Sequence, residues 1–78
     1  MTHTFHAQMN DADICRINRW GVGTRLVGDE GYGPTVMRIT GLGEQMVLAV
    51  AESHNGVPQR PHEGPWSLRC REWREVGK

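Results

Sequence analysis

Zinc binding needs cysteine and histidine side chains gathered tetrahedrally, and the chain offers four histidines, His3, His6, His54 and His62, with two cysteines, Cys15 and Cys70. Their spacings match no ligand pattern. His3 and His6 stand near the start and His54 and His62 in a stretch rich in Pro and Gly, so solvated polar side chains are the better reading. A nucleophilic thiol would need a neighbouring base and a positive setting. Arg69 and Arg71 flank Cys70, yet a lone cysteine is more often buried as a small apolar group. The residues therefore point to no catalytic constellation, no metal site and no cofactor.

Two other stretches could bind rather than react. Gly28 to Pro34, GDEGYGP, has the glycines that let backbone N–H groups approach an anion. It lacks the Gly-Lys-Ser/Thr ending and the helix of a phosphate loop, and Asp29 and Glu30 would repel phosphate. It reads instead as an exposed loop with Tyr32 at its tip, suited to ligand contact. In the tail, Arg69, Arg71, Arg74 and Lys78 outnumber Glu72 and Glu75, and with Trp66 and Trp73 they suggest phosphate contacts and base stacking. Alternating signs are more often a solvated face laced with weak ion pairs. Gln45 to Leu48, QMVL, is similar to the Gln-x-x-Leu peptides that dock on bacterial sliding clamps, but such peptides bind extended and accessible, whereas this one reads as an internal strand.

The elements that would hold these residues follow from size and pattern. A chain of 78 residues forms one domain, because at this length only about 60% of the unfolded surface is buried and a second core or deep cleft is out of reach. Hydrophobic residues make up 37%, and the three Trp, one Tyr and one Phe spread among many Val, Leu and Ile argue for folding rather than disorder. Nine basic and nine acidic residues cancel, so no overall positive field draws the molecule to nucleic acid or anionic lipid. The excess of Arg over Lys reads as codon bias of a GC-rich genome. Without a signal peptide or an apolar run near membrane-spanning length, the expected location is the cytoplasm, with Cys15 and Cys70 reduced rather than bridged.

Residues 1–9 show neither periodicity nor caps and are expected to form a flexible arm, leaving 10–78 as the domain. Asn10 or Asp11 reads as an N-cap for a helix over 11–19, closed by Gly21 and Gly23, with Ile14 and Ile17 on one face. Thr24 to Gly28 is short and extended, and the Gly28 to Pro34 loop must contain positive-φ residues. Thr35 to Gly41 alternates strictly, with Thr35, Met37 and Ile39 on one side. Leu42 and Gly43 form a tight link to Glu44 to Glu52, EQMVLAVAE, whose residues also favour helix but whose short link after a β-branched strand favours a hairpin. Ser53 to Pro65 reads as a surface loop. Trp66 to Leu68 is a strand, Arg69 to Glu72 a 3₁₀ turn, and Trp73 to Val76 a last strand.

This order predicts a mainly β fold, a small SH3-like five-stranded barrel with a short N-terminal helix. Its expected core is Trp20, Leu26, Met37, Ile39, Leu48, Leu68 and Val76, with Ile14 or Ile17 closing one end.

With Trp20 to Thr24 (WGVGT), GDEGYGPT, MRITGLGEQMVLAV and WSLRCREWREV in view, the chain from about Ile17 to Val76 resembles a group of small proteins from phages of actinobacteria. The resemblance implies phage origin, expression inside the host cell, and binding of a host protein; it carries no assigned site. The expected function is a non-enzymatic protein-interaction module that acts on a host or phage protein through Asp29, Glu30, Tyr32, His54, Asn55 and Arg60. The alternative is a nucleic-acid-binding module using Trp66, Arg69, Arg71, Trp73 and Arg74. Neither the oligomeric state, monomer or small homo-oligomer, nor the partner is fixed by the sequence.

Overall fold

A computed structural model describes residues 9–29, 31–69 and 71–77. Glu30, Cys70 and the expected arm up to residue 8 lie outside the described residues, while Met9, assigned to that arm, packs against the core.

The chain opens with helix α1, Asp11–Asn18. Its start is a capping box: the Asn10 side chain accepts from the Asp13 backbone N–H at 2.8 Å, and the Asp13 carboxylate accepts from the Asn10 N–H at 3.4 Å. Such a cap contributes about 1 kcal/mol. The helix ends earlier than the expected glycine stop, because Arg19 itself takes the left-handed conformation at φ 61° and donates its N–H back to the carbonyl of Arg16. Ala12, Ile14 and Cys15 bury one arc of the helix, which leaves Ile17 on the far side at 60% exposure and decides the choice between Ile14 and Ile17.

Six strands follow: β1 Arg25–Asp29, β2 Pro34–Leu42, β3 Val47–His54, β4 Val57–Pro58, β5 Gly64–Trp66 and β6 Trp73–Glu75. They form one antiparallel sheet ordered β4-β3-β2-β1-β6, with β5 on β3 as well. The fold is thus mainly β with one short helix. No ladder joins β6 to β4 or β5 among the described residues. The indoles of Trp66 on β5 and Trp73 on β6 nevertheless meet edge to face, with ring centroids 6.0 Å apart, so the two flanks of the sheet curl toward each other.

The helical option for Glu44 to Glu52 is not taken, but the strand starts later than expected. Leu42 pairs with Val47, and Gly43 to Met46 is the turn, closed by the Gly43 N–H on the Met46 carbonyl at 3.0 Å. The Gln45 to Leu48 string is therefore half turn and half strand. Ser53 to Pro65 is not a continuous loop. Asn55 and Gly56 adopt φ of 52° and 81°, the geometry of a two-residue hairpin turn, so β3 runs on to His54 and β4 folds back on it. Of the three prolines expected to forbid strands here, Pro58 and Pro65 lie on outer strands, where a missing N–H costs nothing, and Pro61 lies between β4 and β5; Pro34, expected in the preceding loop, opens β2. No 3₁₀ turn forms among the described residues of 69–72; Asp11 instead redirects the chain there, accepting the Leu68 N–H at 2.9 Å.

Register accounts for the remaining differences. Ala49 pairs with the inward-facing Ile39, so Val47 and Ala49 face inward and Leu48, expected in the core, points the other way; the ladder then skips Thr40, and Leu48 lies half-buried against Gly41. Between Val36 and Met37 the partner strand skips Glu52, which swings the Glu52 side chain outward. The core unites Ile14, Cys15, Trp20, Leu26, Met37, Ile39, Val47, Ala49, Leu68 and Trp73. Val76 is only half-buried, and Trp73 takes the inward place at that end of the chain. Each fully buried Leu, Ile or Met contributes about 1.5 to 3 kcal/mol.

Candidate functional site

The β2–β3 ladder pairs Thr35 with His54, and this register sets the loop after β1 against the turn after β3. The Asn55 N–H donates to the Pro34 carbonyl at 2.6 Å, and Thr35 Oγ1 shares a hydrogen bond with His54 Nδ1 at 2.8 Å. Gly33, at φ 107°, lies so close to the Asn55 side chain that a Cβ there would stand 2.7 Å from its Cγ and Oδ1. Asp29 Oδ1 accepts from the N–H groups of Gly31, at 2.6 Å, and Gly33, at 3.3 Å, tying the loop to the end of β1. Tyr32 stands at the tip, 81% exposed.

Asp29, Tyr32, His54 and Asn55 are therefore brought to one end of the sheet. Arg60 is exposed on the segment that leaves β4, and no hydrogen bond or ion pair among the described residues joins it to that cluster. Glu30 lies outside the described residues.

The second set of residues is divided. Trp73 is a core residue at 6% exposure, so its ring offers no open stacking face, and Trp66 is half-buried against it. Arg71 lies over the Trp73 ring, its guanidinium carbon 4.8 Å from the centroid, a cation–π contact made inside the chain. Gly28 makes room for this stack: a Cβ there would meet Trp73 Cε3 and Arg71 Cδ at 2.8 Å. Arg69 and Arg74 are exposed.

A groove of about 570 Å³ joins the two sets, lined by Val27, Gly28, Asp29, Pro34, Glu72, Trp73 and Arg74. The sequence gives no warning of it, because Val27 and Pro34 come from one hairpin, Trp73 and Arg74 from the last strand and Glu72 from just before it; only the β1–β6 pairing brings them together.

The rest of the outer face holds Arg25 and Arg38, directly opposed across β1 and β2. Glu52 reaches both, 2.7 Å from Arg25 Nε and 3.2 Å from Arg38 Nε. Hydrogen bonding from Arg25, and then from Arg38, holds the Glu52 carboxyl below its usual range. Cys15 is a free, buried thiol pushed up to about 11, mainly by burial and further by Asp11, which makes it a poor nucleophile. Among the described residues no group of three or more His, Cys, Asp or Glu could hold a metal ion, and no helix is long and apolar enough to cross a membrane.

Fold and surface thus define a small antiparallel β domain with one capped helix, whose exposed loop and turn meet beside a shallow groove. The chain belongs to the family described as domain of unknown function DUF7241, which matches residues 9–78. No curated protein and no solved structure matches it.

Proposed function

We propose that the protein is a non-enzymatic protein-interaction module, encoded by a phage and acting in the host cytoplasm, which binds a host or phage protein through the loop end of a small SH3-like barrel. The observation that carries this reading is the Thr35 to His54 pairing, which gathers Asp29, Tyr32, His54 and Asn55 on one surface and anchors the loop by backbone contacts. A tip tyrosine held out on an anchored loop supplies a large, amphipathic contact at little cost in ordering. The barrel assignment draws on the strand order, in which three consecutive strands form a meander and the last strand returns to the first, and on the Trp66–Trp73 contact between the flanks. The phage origin draws on the resemblance of Trp20 to Thr24, the Gly28 loop, the hairpin and the tail. The nucleic-acid reading loses its aromatic platform to the core, since Trp73 is buried and Arg71 is stacked on it.

A photo-crosslinking residue in place of Tyr32 tests the proposal. In a host-cell lysate it is expected to capture a discrete protein adduct, while the same residue in place of Val22, ahead of β1 at the opposite end, captures none. No adduct at Tyr32, together with nucleic acid that co-purifies in a salt-sensitive manner, would overturn it.

A further inference from the structure

Like charges directly opposed across an antiparallel ladder repel one another, and the outer face of β1 has such a pair at each end. Arg25 stands opposite Arg38, and the chain supplies its own counter-charge in Glu52. At the other end, the β1–β6 register pairs Gly28 with Trp73; carried one residue further, it sets Asp29 opposite Glu72. Both carboxylates line the groove. Asp29 is held by the Gly31 and Gly33 N–H groups, and Glu72 makes no hydrogen bond or ion pair with any described residue. Arg74 lines the same groove and Arg71 lies nearby over the Trp73 ring, but neither forms an ion pair with Asp29 or Glu72 among the described residues. Around the pair lie Val27 and Pro34, an apolar surface for an aliphatic stem.

We infer that this groove seats an extended peptide segment of the partner by placing one of its arginine or lysine side chains between Asp29 and Glu72. The inference rests on the loop end being the contact surface and names the chemistry it recognises. The cation takes the place that Glu52 fills, with opposite sign, at the far end of the strand. The side chain's methylenes cover Val27 and Pro34. Arg74 remains for a carbonyl or carboxylate further along the bound segment.

The probes are N-acetylated, C-amidated nonapeptides of Ala and Ser around a central Arg, Lys, Gln or Glu, titrated into the full chain labelled with ¹⁵N. The Arg and Lys peptides are expected to shift the Gly28, Asp29 and Arg74 amides at concentrations at least about tenfold lower than the Gln and Glu peptides, in a salt-dependent way. Combining Asp29→Asn with Glu72→Gln is expected to erase that preference. The fold survives this change because the amide oxygen of the substituted side chain at position 29 still accepts from Gly31 and Gly33, and position 72 is exposed. Equal binding of the Gln peptide, stronger binding of the Glu peptide through Arg74, or a preference that persists in the double variant would each overturn the inference. If the Tyr32 crosslink forms while the preference is absent, the charge recognition falls and the contact surface stands. If the preference holds while Tyr32 captures nothing, the groove recognises a cation and the proposed function falls.

Discussion

The two ends of β1 are built from the same device and finished differently. At Arg25 the ladder opposes two guanidinium groups, and a β-bulge in β3 turns Glu52 out to bridge both, so the charges are closed within the chain. At Asp29 the extended register opposes two carboxylates, and no side chain of the described residues closes them. The first end is therefore finished by folding alone, while the second leaves two carboxylates unbridged by any described side chain, the place where the inferred cation would sit. Proteins tolerate opposed like charges at surfaces that bind, where local stability is traded for recognition.

Three substitutions probe that contrast. The largest effect is expected at Gly28, the residue between the two ends, where Ala places a Cβ 2.8 Å from the Trp73 ring. Moving a packed indole costs about 1 to 3 kcal/mol. Urea unfolding should show that loss, with a shifted Trp emission; an unchanged midpoint would mean that the Trp73 ring is loosely packed against Gly28.

Next comes Glu52→Gln, which leaves Arg25 and Arg38 opposed without a counter-charge. The pair is partly exposed, so the loss is about 0.5 to 1 kcal/mol and shrinks in high salt. Its pH dependence follows from the depressed carboxyl. Glu52 contributes fully above the ordinary carboxylate range, and its contribution is lost as pH falls through the lowered folded value. Wild type and variant should therefore converge in stability under acid, and a gap that persists there would show that the bridge is not what Gln removes.

The smallest effect, and of opposite sign, is expected for Glu72→Gln. Removing one of two opposed carboxylates should stabilise the chain by about 0.2 to 0.5 kcal/mol at low salt. Thermal unfolding at two ionic strengths would measure it. Destabilisation would mean that Glu72 has a partner in the folded chain and that the two ends of β1 are alike.

Much of this was legible in the residues. Strict alternation at Thr35, Met37 and Ile39 gave β2 its inward face, Asn10 and Asp13 gave the helix its start, and the glycines after Asp29 gave the loop its positive-φ positions at Gly31 and Gly33. Tyr32 and Asp29 could be singled out because loops of such composition lie at the surface. The inward turn of Val47 and Ala49 in place of Leu48 could not, since the run is apolar on both faces and only the pairing of Ala49 with Ile39 chooses between them. Nor could the hairpin inside Ser53 to Pro65, where three prolines outweighed an Asn-Gly pair that carried the true turn signal.

What the sequence determined by itself was local: periodicity, caps and turn residues act over a few positions, so a β-rich chain with one short capped helix could be read directly. What the tertiary structure decided was pairing. Whether Trp73 faces water or core, whether Glu52 reaches two arginines, and whether Asp29 meets Glu72 all depend on ladders between residues far apart in the chain. A one-residue shift in any of them sends every side chain to the other face.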